Sequence, residues 1–264
     1  MGALLGLAAG DATGTTLEFT PRDRVEPITD MAGGGPFGLE PGQWTDDTSM
    51  ALCLAESLLD TGGMDLQDQM RRYVMWRDDG YLSSTGRCFD IGYTTSAALS
   101  RFKETGEAID PRINPDMQAN GSLMRLAPVP IRWFADIGEA ASRSGESSLP
   151  THNASAPVDA CRVMGAMIAA LVQGESWAAV TKPEFWVWGD LDPAIDEVVR
   201  GSFRTTTDHE IKGSGHCVRA LEAALWAVDG ADDFRDAVLR AANLGDDADT
   251  TAAIAGQLAG ARWG

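Results

Sequence analysis

Positive charge is scarce in this chain: three of its 264 residues are lysine (Lys103, Lys182 and Lys212), the arginines are scattered, and the net charge is −18. Such a balance excludes nucleic acid as a partner, because a phosphate backbone is held through clustered Lys and Arg. The four cysteines, Cys53, Cys88, Cys161 and Cys217, form no C-x-x-C pair. Three of them (Cys53, Cys161 and Cys217) sit among apolar helical neighbours and read as buried thiols of a reducing compartment, with no disulfide framework. Long apolar runs are missing too. The longest, residues 163–172, is too short to cross a bilayer, so no membrane insertion is expected. The opening Met-Gly-Ala-Leu-Leu-Gly-Leu lacks the basic start of a signal peptide, and Asp11 interrupts it. Gly6 stands where a myristoylation signal needs Ser or Thr. A cytoplasmic protein is the expectation. Alternating strand patterns bounded by hairpin turns are also absent, residues 184–188 being the nearest candidate.

What is present is helical periodicity. Met50, Cys53, Leu54, Ser57 and Leu58 mark one face of a helix over about residues 47–59. Residues 66–76, 94–102, 158–172, 218–228 and 234–242 read the same way. Residues 3–9 are a run of small apolar side chains. The last helix, about residues 251–261, is so rich in Ala and Gly that it must pack closely against its neighbours. Residues 21–42 and 105–121 are Gly/Pro-rich and resemble functional loops more than domain linkers. The expected fold is one all-α domain over residues 1–264.

Two acidic clusters about 200 positions apart carry the chemistry: Thr45-Asp46-Asp47-Thr48 and Asp246-Asp247-Ala248-Asp249-Thr250. Each places hydroxyls beside paired carboxylates at a helix start. Capping explains one acid in each, since the helix macrodipole favours negative charge there. Adjacent, partly buried acids repel and raise one another's pKa until some neutralise. A divalent cation removes that conflict. Oxygen ligands without His or Cys point to a hard ion, Mg²⁺ or Mn²⁺, rather than zinc. Positions i and i+2 point apart on a helix. Asp247 and Asp249 are therefore expected in a loop, with the helix beginning near Thr250.

Four motifs in order along the chain resemble those of the ADP-ribosylglycohydrolase family, and within it the dinitrogenase reductase-activating type. They are Gly6-Leu-Ala-Ala-Gly-Asp-Ala-Thr-Gly-Thr-Thr-Leu-Glu-Phe19, Gly42-Gln-Trp-Thr-Asp-Asp-Thr-Ser-Met50, Asn120-Gly-Ser-Leu-Met-Arg-Leu-Ala-Pro128 and Asn243-Leu-Gly-Asp-Asp-Ala-Asp-Thr-Thr-Ala-Ala-Ile-Ala-Gly256. The resemblance implies an all-α fold around a binuclear magnesium or manganese centre. By analogy Thr45, Asp46 and Asp47 hold one ion, Asp247 and Thr250 the other, and Asp249 is shared. Glu18 matches a glutamate beside the metals, as ligand or catalytic carboxylate. Asp246 falls where many relatives carry glycine. Two ions about 3.5–4 Å apart clamp two oxygens and lower the pKa of a bound water. In this family those oxygens are expected to be vicinal ribose hydroxyls.

Asp90, in Cys88-Phe-Asp-Ile-Gly-Tyr-Thr-Thr95, reads by itself as an N-cap of the helix at 94–102. The resemblance to arginine-directed bacterial enzymes makes it a proton-transfer or guanidinium-binding group facing the ribose, and Asp46 is a further catalytic candidate. Asn120, Gly121, Ser122 and Met124 form a loop before a helix that suits a pyrophosphate, or simply a turn with Met124 in the core. His152 matches a histidine near ADP-ribose, although a lone histidine is more often structural. His209 and His216 show no ligand spacing, and His216 stands where relatives often have tyrosine. The family pattern continues some tens of residues beyond Gly264, and a helix missing there would expose apolar surface near the second cluster.

The resemblance thus implies hydrolysis of ADP-ribose from an arginine of a modified protein. Serine-linked or other O-linked ADP-ribose is the alternative linkage. A non-catalytic ADP-ribose binder is the alternative class, but such relatives lose metal ligands, and both clusters here are intact. A helical terpene synthase fits poorly. Asp46-Asp47 lacks a third acid three residues on, and 7% aromatics line no carbocation pocket.

Overall fold

The computed structural model describes residues 1–264 and is built from helices without a sheet. In chain order these are α1 (Gly2–Gly14), α2 (Asp46–Thr61), α3 (Leu66–Asp79), α4 (Tyr93–Thr105), α5 (Pro128–Arg132), α6 (Ile137–Ser148) and α7 (Ser155–Val172). There follow α8 (Trp177–Val180), α9 (Pro193–Val199), α10 (Ser202–Thr205), α11 (Cys217–Asp229), α12 (Phe234–Ala242) and α13 (Ala248–Trp263). Two isolated antiparallel bridges, Gly34 with Leu39 and Ala119 with His216, are the only strand-like pairings. Residues 184–188 are not a strand. A 3-10 turn, Pro183–Phe185, opens that stretch, and neither bridge in the structure involves it.

Helix ends follow local chemistry. Asp65, Asp136 and Asp233 each accept a backbone N–H of the first turn, capping α3, α6 and α12. One cluster of 49 buried side chains runs from Ala3 to Ala259, so the core is continuous from one end of the chain to the other. At its centre lies α13, in which every residue from Ala248 to Gly260 is buried. Its Ala and Gly surface admits α1 at backbone distance. A β-carbon added to Gly2, Gly6, Gly10 or Gly14 would run into the carbonyl of Gly260, Gly256, Ala252 or Ala248 in turn. Gln257, fully buried on α13, donates to the carbonyls of Leu123 (3.3 Å) and Met124 (2.7 Å), tying the loop at 120–124 to the same helix.

Helix α7 is longer than its apolar run suggests. It has 18 residues of mean hydropathy 1.4, enough by length and composition to cross a bilayer, yet 78% of it is buried within the fold. Its apolar character is that of a core helix.

Candidate active site and cation-binding cluster

The α1–α13 contact carries two acids to one place. Asp11, on α1, is fully buried and serves as the N-terminal cap of a different helix. Its carboxylate accepts the Thr45 and Thr48 backbone N–H groups, each at 3.0 Å. It also accepts the two hydroxyls, Thr45 Oγ1 at 2.9 Å and Thr48 Oγ1 at 2.6 Å. With those donors satisfied, Asp46 and Asp47 of the first turn of α2 are free of the capping role. At the other end, Glu18 follows the 3-10 turn Thr15–Leu17, and its Oε2 accepts the N–H groups of Ala248 (2.7 Å) and Asp249 (3.2 Å) at the start of α13. Each acidic cluster therefore has its helix capped by a carboxylate from a remote segment.

Helix α13 starts at Ala248, earlier than expected, so Asp249 is helical. The two acids still converge because Asp247 keeps a non-helical backbone (φ −92°, ψ 68°) as the N-cap. One carboxylate oxygen each from Glu18, Asp247 and Asp249 lies within 4.8 Å of the others. Asp47 links the clusters: its Oδ2 lies 3.3 Å from Thr45 Oγ1 and 3.4 Å from Thr250 Oγ1. Asp246, at φ 55°, exchanges backbone hydrogen bonds with the Glu18 segment, its N–H to Thr20 O and Phe19 N–H to its own O, both 2.7 Å. Glycine adopts that left-handed backbone more easily than aspartate does.

A cavity of about 640 Å³ opens over this floor. Glu18, Asp46, Asp90, Asp247, Asp249 and Thr250 line it, together with Asn120, Gly121, Met124 and His152. Asn120 donates to Asp247 Oδ2 at 2.7 Å. Asp90 does not cap α4, whose N-cap is Gly92. It sits at φ 62° with its carboxyl in the cavity wall. Three expected site residues stand back from the cavity. Thr45 and Asp47 are wholly buried beneath it. The Ser122 hydroxyl turns away into the core, 2.8 Å from Ser148 Oγ and 3.5 Å from Cys161 Sγ, which leaves only its backbone to face a ligand. Asp11 was not singled out from sequence, nor was Arg125, buried behind His152.

The electrostatics of the floor are those of charges without a counterion. Burial pushes Asp11 and Asp247 up to about 7, Asp90 to about 11 and Glu18 to about 12. Asp46 and Asp47 are likewise raised by burial, and the Asp249 charge adds to every one of these shifts. Asp47 Oδ1 and Asp249 Oδ2 are buried with no hydrogen-bond partner. Orphaned carboxylate oxygens at the meeting point of repelling acids are what a divalent cation satisfies, so the residues fit such a group. Without cations, stability should fall as pH rises. The folded-state pKa values of Asp11 and Asp247 exceed the unfolded values near 4, so the folded chain binds more protons. Their contribution is full below about pH 4 and is lost as pH climbs through about 7. Thermal melts of chelator-treated protein from pH 5 to 8 should show a declining Tm, and saturating Mn²⁺ should remove the decline. A metal-free Tm that rises over that window would contradict this account.

These features define an all-α protein with an acidic cavity whose carboxylates could hold a metal ion. The family model for ADP-ribosylglycohydrolase matches residues 1–264, and the chain belongs to that family. It is 43% identical over 263 residues to the ADP-ribosylarginine hydrolase Tri1 of Serratia proteamaculans (strain 568), covering 100% of this chain and 71% of that protein. It is 30% identical over 268 residues to the ADP-ribosyl-dinitrogen reductase glycohydrolase of Rhodospirillum rubrum, covering 100% of this chain and 85% of that protein. A solved ADP-ribosylglycohydrolase-related protein complex superimposes with a TM-score of 0.84 at 39% identity, over 100% of this chain and 86% of the other.

Proposed function

We propose that the chain, acting as one domain over residues 1–264, hydrolyses the N-glycosidic bond between ADP-ribose and an arginine side chain of a modified protein. The names of the relatives support the linkage, and the observation that carries the reading is the convergence of carboxylates from four distant segments on one cavity. Thr45, Asp46, Asp47, Asp247, Asp249 and Thr250 would hold two divalent cations. The all-oxygen donor set favours Mg²⁺ or Mn²⁺. When bound, such ions orient the ribose hydroxyls and lower the pKa of water.

The remaining roles belong to the chain itself. The loop of Asn120, Gly121, Ser122 and Met124, with His152, receives the ADP-ribose, Ser122 through its backbone while its hydroxyl anchors the loop to Ser148. Asp90, whose carboxyl lies in the cavity wall, is placed to exchange a proton with the departing guanidine or to bind its planar fork. Glu18 and Asp46 stand where the reacting sugar would meet the acidic floor. Four unpaired cysteines favour a reducing compartment, in keeping with a cytoplasmic site of action. Net negative charge and the burial of α7 favour a modified protein as partner over nucleic acid or membrane.

The test is release of ADP-ribose from arginine-modified and serine-modified peptides, with and without Mn²⁺, by wild type and Asp247→Ala. Turnover on arginine alone, dependent on the ion and lost in the variant, is expected. Turnover on serine alone would move the reading to O-linked substrates. Binding without turnover would make the chain an ADP-ribose binder.

A further inference from the structure

The wall of the cavity formed by Gly121 and His152 rests on a buried cation that has no anionic partner. Arg125 is 1% exposed, and its guanidinium stacks 4.7 Å from the centroid of the Tyr73 ring. No carboxylate pairs with it. Its Nη1 donates to Gly121 O at 2.8 Å and its Nη2 to Thr151 Oγ1 at 2.7 Å, so one rigid fork holds both sides of the wall. Thr151 Oγ1 lies 2.8 Å from His152 Nδ1.

The direction of these bonds follows from what each group can do. A guanidinium only donates, so the Thr151 oxygen must accept from Arg125. The hydroxyl has one hydrogen left to place, and Nδ1 is the acceptor within reach. Were Nδ1 protonated instead, two donors would face one oxygen and a buried O–H would go unpaired. Nδ1 therefore accepts, and the ring hydrogen sits on Nε2, which makes no hydrogen bond within the protein. Gly121 leaves room for it: a β-carbon there would stand 2.9 Å from Cε1 and 3.2 Å from Nε2.

We propose that Arg125 and Thr151 are positioning residues that lock His152 as the neutral Nε2–H tautomer, presenting a hydrogen-bond donor to a diphosphate oxygen of bound ADP-ribose. Burial, then the Arg125 charge, depresses the His152 pKa to about 3, so the ring stays neutral. The guanidinium behind it supplies the positive potential that a diphosphate needs in a cavity otherwise lined with acids. The choice of ligand rests on the proposed function; the tautomer does not.

The experiment uses long-range ¹H–¹⁵N correlation spectra of the ligand-free chain, which has three histidines to assign. His152 should show an unprotonated Nδ1 and a protonated Nε2. In Thr151→Val the ring should lose that single tautomer, and ADP-ribose affinity measured by calorimetry should fall about tenfold, the scale of one hydrogen bond to a charged group. Thr151→Ser should restore both. An Nδ1–H ring in the wild type overturns the proposal even if Thr151→Val does not fold. So does a folded Thr151→Val with wild-type spectra and affinity. The nitrogen shifts are read without turnover, so a failure on arginine-linked substrate would count against the function alone.

Discussion

Asp249→Asn is expected to cost about 10³-fold in turnover, the scale on which removing a preorganised charge-stabilising group acts, while making the metal-free protein more stable. Both effects have one origin. The Asp249 charge is a cause of the upward pKa shift of Asp11, Glu18, Asp46, Asp47, Asp90 and Asp247. No other charge is a leading cause of all six shifts. Asp249 Oδ1 accepts the Thr250 N–H at 2.6 Å, but its Oδ2 is buried without a partner, so in the absence of a cation repulsion dominates. Asparagine keeps the shape, removes the charge and offers N–H donors to the carboxylates around it. Each kcal/mol of relieved repulsion raises the Tm by about 2–4 °C in a chain of this size. With saturating Mn²⁺ the order should reverse, because the wild type gains binding energy that the variant lacks. Melts with and without Mn²⁺, beside single-turnover kinetics, decide it. A variant within tenfold of wild-type turnover, or one less stable than wild type when metal-free, would remove Asp249 from the centre of the cluster.

The sequence pattern carried the helices and the two acidic clusters well, for separate physical reasons. Burial of one face imposes a 3.6-residue period, so α3, α11 and α12 are recognisable from their apolar spacing alone. Adjacent acids are costly enough to demand a reason, which made Asp46, Asp47, Asp247 and Asp249 visible before any geometry. The start of α13 was misplaced for an instructive cause. Positions i and i+2 do diverge on a helix, but convergence needs only one of the two residues outside it, and Asp247 alone meets that need.

What stayed hidden depends on long-range contact. Asp11 lies in a run of small residues and looks like an interruption of an apolar helix. Its partners, Thr45 and Thr48, are 34 and 37 positions away, and only the fold brings them. Ser122 and Gly121 are neighbours in one loop, yet one faces Ser148 and the other the cavity. Nothing in the loop's composition separates them. Arg125 reads as an ordinary basic residue of a motif, because burying a guanidinium under Tyr73 leaves no trace in local spacing. Asp90 resembled a cap because it stands near a helix start. Its left-handed backbone, with Gly92 taking the cap, frees the carboxyl for the cavity.

A signal for the placement of Asp11 was nevertheless present in the Gly2, Gly6, Gly10 and Gly14 repeat, and it leads to the second large effect. Gly10→Ala is expected to destabilise the fold by about 2–3 kcal/mol and to lower turnover about 100-fold. In an isolated helix the same change would gain about 1 kcal/mol from propensity. Here the added methyl meets the Ala252 carbonyl and the Ala253 nitrogen, backbone atoms that have no rotamer to escape into. The helices must part. Asp11 is the next residue on α1, and Ala252 lies two residues beyond Thr250 on α13, so separation pulls the two cluster floors apart. A misplacement of about 1 Å is enough for the kinetic loss. Gly63→Ala, where a β-carbon meets nothing within 4 Å, should leave stability and turnover unchanged. Urea denaturation and kinetics on both variants test the pair. If Gly10→Ala proved as stable and active as Gly63→Ala, close backbone contact between α1 and α13 could not be what holds the acidic floor together.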